Sequence, residues 1–417
     1  MKEGWKIKKF DEIIQSSLIG VVKNNKAQSP EFEFRYLKMN NIKNDNGLKE
    51  ESFAFVNATN EEVEKYSLKE NDFLFNTRNS YELVGKTCLY KSDYKKPTLF
   101  NNNILRVTFK DYIDPQFVAN AFSTASILKD LEKMKSGTTS VVGIYYKSLK
   151  NLQISFPPLS EQKQIVAILD TAFEAIDQAK ANIEKNIENA KELFQSKLNE
   201  IFSHQGEGWE EKKLKEITTK IGSGATPRGG QASYKESGIS LIRSMNVHDG
   251  GFRKRKLAFI DDEQAKKLDN VTILENDVLL NITGASVARC CVVDKKVLPA
   301  RVNQHVSIIR LKEGVMNYKF LHYALTTQSN KKLLLGIGEQ GATRQAITKV
   351  QIENFKIQYP LIIEEQDKLV YSLDNAKLKL LKLEEAYKNK IEGLEELKKS
   401  ILQKAFAGEL TNKMAEV

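Results

Sequence analysis

The chain has 417 residues, 64 lysines and arginines against 54 aspartates and glutamates, and a hydrophobic share of 41%. That length predicts two or three domains with cores of their own, and the composition excludes a long low-complexity linker. No run of about 18 or more apolar residues occurs, which argues against a membrane-spanning helix.

In chain order, Met1-Lys2-Glu3-Gly4-Trp5-Lys6 passes straight into an amphipathic pattern without the apolar core of a signal peptide, so a cytoplasmic protein is expected. Phe73-Leu74-Phe75 and Ile104-Leu105-Arg106-Val107 are short apolar runs beside Asn, Gly and Asp and read as strands, whereas 115–135 reads as helical. Phe156-Pro157-Pro158-Leu159 makes a rigid strand-to-helix connection with Ser160 as the N-cap. From there apolar residues fall at Ile165, Leu169, Ala172, Ile176, Ala179, Ile183, Ile187, Ala190, Phe194 and Ile201, mostly in alternating steps of three and four, a heptad stripe.

The pattern then restarts, with a period of about 204 residues. Trp5-Lys6-Ile7-Lys8-Lys9-Phe10-Asp11-Glu12-Ile13 returns as Trp209-Glu210-Glu211-Lys212-Lys213-Leu214-Lys215-Glu216-Ile217. Asn71-Asp72 and Asn76 return as Asn276-Asp277 and Asn281, Gly137-Thr138-Thr139-Ser140 as Gly341-Ala342-Thr343-Arg344, and Glu161-Gln162 as Glu365-Gln366. Val278-Leu279-Leu280 reads as a strand and 317–335 as helical. A second stripe runs through Leu369, Leu373, Ala376, Leu380, Leu383, Tyr387, Ile391, Leu394, Leu397, Ile401 and Ala405. The expected fold is α+β: two similar mixed α/β domains, 1–155 and 206–358, each followed by a long helical region, 156–205 and 359–417. The helices span roughly 60 Å each and pack as an antiparallel, coiled-coil-like pair.

Charge separates the two kinds of segment. Residues 1–155 carry 24 basic and 19 acidic side chains and residues 206–358 carry 25 and 16, whereas 156–205 and 359–417 are slightly acidic. Positive charge on the duplicated domains suits phosphate neutralisation, and it equally suits a solvated lysine-rich surface, so charge alone leaves both readings open. Enzyme signatures do not hold. Gly85-Lys86-Thr87 lacks the earlier glycine of a phosphate loop, Phe156-Pro157-Pro158-Leu159 lacks the amide and aromatic of an amino-methyltransferase motif, and Gly222-Ser223-Gly224 is no dinucleotide turn. His204, His248, His305 and His322 lack metal-ligand spacing, and Cys88, Cys290 and Cys291 offer neither a disulfide framework nor a zinc site; the cysteines read as small strand residues. No cofactor or metal is expected. Gly222, Gly224 and Gly284 read as turn residues at positive φ.

Ile221-Gly222-Ser223-Gly224-Ala225-Thr226-Pro227, Gly238-Ile239-Ser240-Leu241-Ile242-Arg243, Ile282-Thr283-Gly284-Ala285 and Val302-Asn303-Gln304 resemble a target-recognition domain of type I restriction-modification specificity subunits, the HsdS family. The joins at 156–166 and 397–410 resemble the family's helical regions, so the resemblance covers essentially the whole chain. The first domain departs from it at Asn76-Thr77-Arg78-Asn79-Ser80, which lacks the Thr-Gly-Ala pattern, and it also lacks the Gly-Ser-Gly entrance. The resemblance implies a non-catalytic DNA-binding subunit in which each recognition domain reads one half of a bipartite, asymmetric double-stranded target. It further implies that the helices fix the spacing and dock two copies of the adenine-methylating (M) subunit, and that a restriction (R) subunit joins the full complex. It also suggests that the tail after Phe406 folds back onto the first domain. The alternative is a stand-alone nucleic-acid-binding coiled-coil protein without methylation partners.

Candidate DNA contacts are polar residues beside the strand-like runs: Arg78, Asn79, Ser80 and Lys86 in the first copy, and Arg243, Asn246, Thr283, Arg289, Asn303 and Gln304 in the second. Thr138, Thr139, Ser140 and Tyr145, with Thr343, Arg344 and Lys349, occupy matching loops before the long helices. Arginine and lysine suit guanine edges and phosphates, and asparagine and glutamine suit adenine edges. Arg253-Lys254-Arg255-Lys256 reads as phosphate-binding or merely solvated.

Overall fold

The motif that opens each half folds as strand, single helical turn, strand, and the reason is local. Glu12 accepts a hydrogen bond from the Lys9 backbone at 3.0 Å and Glu216 accepts one from Lys213 at 2.7 Å, which satisfies an otherwise orphaned helix-start donor. The apolar pairs Phe10 with Ile13 and Leu214 with Ile217 turn into the core. The computed structural model describes residues 2–43, 46–138, 141–203, 206–339 and 345–411. The chain divides into two units, residues 1–183 with 389–417, and residues 184–388.

The first unit runs β1 (Lys6–Lys9), α1 (Phe10–Ile13), β2 (Ile14–Ile19), β3 (Phe34–Leu37), β4 (Ala54–Val56), α2 (Asn60–Tyr66), β5 (Phe73–Asn76), β6 (Arg78–Asn79), β7 (Thr87–Leu89), β8 (Thr98–Phe100) and β9 (Ile104–Phe109). It continues with α3 (Pro115–Ala121), α4 (Ala125–Met134), β10 (Ser136–Gly137), β11 (Val142–Gly143), α5 (Tyr146–Leu149), β12 (Gln153–Phe156) and the long α6 (Leu159–Ser203). A four-stranded sheet in the order β2-β9-β5-β7 is antiparallel, with Phe73 opposite Val107. A second sheet, β4-β3-β8, contains a parallel β3–β8 pair, and β1 pairs with β12.

The second unit repeats this plan with β13 (Trp209–Lys213), α7 (Leu214–Ile217), β14 (Thr218–Ser223), β15 (Ile239–Ile242), β16 (Ala258–Ile260), α8 (Asp262–Lys266), β17 (Thr272–Ile273), β18 (Val278–Asn281), β19 (Cys290–Val292), β20 (Ala300–Val302) and β21 (Val306–Leu311). There follow α9 (Tyr318–Thr326), α10 (Gln328–Glu339), α11 (Lys349–Glu353), β22 (Lys356–Pro360) and the long α12 (Ile363–Phe406). The sheets are β14-β21-β18-β19 and β16-β15-β20-β17, again with one parallel pair, β15–β20, and β13 pairs with β22. Cys88 lies in β7, and Cys290 and Cys291 lie in β19, all buried and free.

Two expected helical stretches are each broken in two. Thr124 caps α4 by accepting from the Ile127 backbone at 3.4 Å, and Thr327 donates to the Ala324 carbonyl at 2.9 Å between α9 and α10. Threonine hydroxyls compete with the helix for its own backbone groups, so the periodicity continues while the axis does not. The long helix α6 begins at Leu159, which puts Ser160 inside the first turn instead of at the N-cap.

The boundary between the units falls inside both long helices. In the first unit Ile165 and Leu169 of α6 and Leu402 and Ala405 of α12 are buried in one core with Phe10, Phe117 and Phe156. The ion pairs Asp177–Lys398 and Lys180–Glu395 advance by three residues on one helix and retreat by three on the other, so the segments run antiparallel. In the second unit Leu198 joins Val370 and Leu373 in the core, and Lys191 reaches Glu384 at 3.3 Å. Other positions of the stripe are less covered. Leu383 and Leu397, both expected in the seam, are exposed. No helix among the described residues is long and apolar enough to cross a membrane.

Candidate nucleic-acid interface

In both units the central strand ends in a buried asparagine, Asn76 or Asn281, that closes a loop. The Asn76 backbone donates to Lys86 O at 2.8 Å and accepts from Gly85 N at 2.9 Å; Asn281 repeats this with Arg289 O at 2.8 Å and Ala288 N at 2.9 Å. Gly85 and Ala288 hold the same left-handed conformation, at φ 89° and 65°. Ile144 N reaches Thr77 O at 2.9 Å and Ile347 N reaches Ile282 O at 2.8 Å, which ties each loop to the segment before α5 or α11. Arg78 to Lys86 and Thr283 to Arg289 are therefore presented by one device used twice.

Around the first loop the structure brings several candidates together. Arg78 is exposed on β6, with its guanidinium 5.9 Å from the Tyr145 ring, and β11 bridges the two segments. Asn79 donates to Asn76 Oδ1 at 2.9 Å and its own Oδ1 accepts from Ser80 N at 2.9 Å. The Ser80 carbonyl accepts from Leu83 and Val84, turning the loop back. Lys86 donates to Ile42 O at 3.3 Å, and burial, followed by the neighbouring Lys49, pushes its pKa down. Thr138 is exposed in the β10–β11 hairpin. Thr139 and Ser140, like Thr343 and Arg344, lie outside the described residues.

In the second unit Thr283 Oγ1 meets His305 Nδ1 at 2.5 Å, and Gln304 accepts from Thr226. Asn303 is buried, and its Oδ1 accepts from His305 N at 3.0 Å. Arg289 is half-buried at the loop's end. Arg243 lies 5.2 Å from the Tyr234 ring and donates to Lys256 O. Asn246 is fully buried: its Oδ1 accepts from Arg243 N at 3.1 Å, and its Nδ2 donates to Arg253 O at 2.8 Å and Arg255 O at 3.3 Å. Its amide is spent on holding the backbone. Lys349 starts α11 and pairs with Glu353 at 3.6 Å. A short helix and a strand separate Tyr145 and Lys349 from the long helices.

The glycines carry a correction. Gly284 has positive φ, at 70°, whereas Gly222 and Gly224 do not. A Cβ at Gly224 would sit 1.8 Å from Val302 O, and one at Gly20, its counterpart in the first unit, 2.2 Å from Phe100 O. Close backbone approach, not a turn, requires glycine at both. Nothing in the structure explains glycine at 222.

Each loop faces a short turn, Met39–Asn41 or Ser244–Asn246, across a cleft of about 390 Å³ in the first unit and 370 Å³ in the second. Lys38, Asn40, Asn79 and Lys86 line the first; His248, Arg253, Arg255, Lys256 and Arg289 line the second. Lys38, Asn40 and His248 were not among the sequence candidates. The repeated spacing Lys38-x-x-Asn41 and Arg243-x-x-Asn246 is the signal that marks these walls. Burial, opposed by a hydrogen bond to Met245 O and reinforced by the Arg253 and Arg289 charges, lowers the His248 pKa.

The family profile described as Type I restriction modification DNA specificity domain matches residues 2–189 and again 206–393. The chain belongs to this specificity-domain family. The two matches are offset like the sequence repeat, so each specificity domain takes in one lobe and most of the long helix that follows it. The chain is 27% identical over 380 residues to a Methanocaldococcus jannaschii chain assigned as the type I restriction enzyme MjaX specificity subunit, covering 84% of this chain and 81% of that one. It is 25% identical over 345 residues to the type I restriction enzyme EcoBI specificity subunit of Escherichia coli, covering 76% and 70%. Its fold is similar to that of a chain solved in a study of complex assembly and conformational transition of the type I R-M system, with TM-score 0.76, 21% identity and coverage of 98% and 99%. It is also similar to the HsdS subunit from Thermoanaerobacter tengcongensis, with TM-score 0.56, 20% identity and coverage of 98% of each chain.

Proposed function

We infer that this chain is the DNA-sequence specificity subunit of a type I restriction-modification complex, acting in the cytoplasm without catalysis of its own. Residues 1–155 and 206–358 serve as recognition domains, each reading one half of a bipartite double-stranded target. Residues 156–205 and 359–417 serve as spacers and dock two methylation subunits, with a restriction subunit completing the nuclease. The observation that carries this reading is the specificity-domain profile matched twice, at the offset of the sequence repeat, across nearly the whole chain. The loops that carry Arg78 and Lys86, and Thr283 and Arg289, support it, since their residue types suit groove edges and phosphates.

The exposed side chains of Leu193, Tyr371, Leu378 and Leu381 on the long helices support docking, because apolar surface of this kind is stabilised by a covering partner. A stand-alone nucleic-acid-binding protein draws no support from relatives that are themselves specificity subunits. The test is co-expression with a type I methylation subunit from the same genome. One copy of this chain should co-purify with two methylation subunits and confer site-specific adenine methylation on duplex DNA; a chain that purifies alone and confers none contradicts the reading.

A further inference from the structure

The two clefts occupy equivalent places in the two units but differ in chemistry. The first has three lysines and no arginine: Lys23 is paired with Glu62 at 2.8 Å, Lys38 donates to Gln28 Oε1 at 3.0 Å, and Lys86 stands where the second unit has Arg289. The amides of Asn25, Gln28, Asn40, Asn79 and Asn101 line it as well, those of Asn25 and Asn40 exposed and without a hydrogen bond from either side chain among the described residues. The second gathers Arg253, Arg255 and Arg289 with Lys256. Among the described residues none of these four forms an ion pair. By contrast Arg301 and Arg310, which hold the fold, are paired with Asp269 and Asp277, each at 2.7 Å.

The backbone that carries the cleft arginines is also held in place before any ligand arrives. Asn246 clamps the strap that bears two of them, through the Arg253 and Arg255 carbonyls and through its own carbonyl, which accepts from Arg253 N at 2.8 Å. Arg289 is fixed by the bond from Asn281 N to its carbonyl and by its own N–H on Ser286 O at 3.2 Å. Clustering unpaired cations costs free energy in the free protein, and the cost is offset only when a ligand supplies paired acceptors. Guanidinium groups match such pairs in a bidentate fork, which a lysine ammonium does not. In duplex DNA the acceptor pairs are the O6 and N7 edge of guanine and the phosphate oxygens.

We propose that Arg289, flanked by Arg253 and Arg255, reads a guanine edge in the half-site bound by the second unit, and that the corresponding cleft of the first unit, built from lysines and amides, makes no such guanine contact. The proposal rests on the specificity-subunit reading and goes beyond it by assigning a base and the residues that recognise it.

The experiment uses the complex of this chain with its methylation subunit. Genomic base-modification maps are made for wild type, Arg289→Lys and Arg255→Lys, the last at an exposed position where folding is not at issue. The mapped target is then assayed for binding with 7-deazaguanine, which lacks the N7 acceptor, replacing one guanine at a time. Arg289→Lys should relax a single guanine in one half-site only, and 7-deazaguanine there should weaken wild-type binding about 5- to 150-fold while leaving the variant unchanged. Arg255→Lys should weaken the preference at that same half-site. A target unchanged in both variants, relaxation at an A·T pair or in both halves, or a uniform loss of methylation with the motif intact would overturn guanine reading, the last by assigning these arginines to phosphates. A wild-type map with no split motif would instead contradict the specificity-subunit reading itself.

Discussion

Gln162 and Gln366 show how a repeated residue can be structural. Both are buried at the start of a long helix. Gln162 donates to Pro157 O at 3.0 Å and accepts from Asp114 N at 2.9 Å, and Gln366 repeats this with Pro360 O and Asn317 N, both at 2.8 Å. Each amide thus ties a strand-to-helix corner to the start of α3 or α9. Gln366→Leu leaves those backbone groups buried and unpaired, and a loss of about 1–3 kcal/mol is expected by denaturant titration; an unchanged midpoint would remove the role. His322 supplies a pH dependence. Burial, reinforced by the nearby Lys377 charge, pushes its pKa down to about 3. The folded state thus keeps the ring neutral where the unfolded chain protonates it, near pH 6.5. Its contribution is complete above that pH and falls as the pH drops towards about 3, by at most about 1.4 kcal/mol per pH unit. Thermal melts of His322→Leu should therefore fall less steeply than wild type between pH 6.5 and 5, and parallel curves would contradict this. The repeat made the two glutamines visible, but not their partners nearly 50 residues away. Asn246 looked like a base reader for the same reason: nothing local in sequence shows that the Arg253 and Arg255 carbonyls claim its amide.

At the scale of elements the heptad stripes and the short apolar runs carried most of the fold. Both long helices, the central strands around Phe73 and Val278, and the corner at Pro157-Pro158 were legible because the local order of apolar, turn and proline residues marks each of them. The breaks at Thr124 and Thr327 were not, since a threonine in an amphipathic run looks the same whether its hydroxyl faces solvent or caps the next helix. The seam was legible only in part: heptad positions near the lobes, such as Leu169 and Leu373, are buried, whereas Leu383 and Leu397 are exposed. The ion pairs between Asp177 and Lys398 and between Lys180 and Glu395 make the spacer role testable. Four residues inserted after Lys180, matched by four before Glu395, keep the antiparallel register and lengthen both segments by about 6 Å. The unmodified gap between the half-sites should grow by about two base pairs, as judged from a methylation map; a gap of unchanged length would rule out the helices as the ruler.

For the whole molecule, duplication separates what is shared from what is specific. The order of the antiparallel four-stranded sheet, the parallel pair, the Asn-closed loop and the close-approach glycine recur in both units, because they build the scaffold. The cleft side chains differ between the units, because the shared scaffold does not dictate them, which is also why the candidate contacts were harder to read than the architecture. Replacing residues 1–155 by the same region of a relative should change one half of the target and leave the other intact; a change in both halves would contradict two independent readers. The most direct measurement is a base-modification map of genomic DNA from strains with and without this gene. A split motif carrying methyladenine on both strands that disappears with the gene is the predicted result, and maps that do not differ would contradict the assignment of this chain as the subunit that selects the sequence.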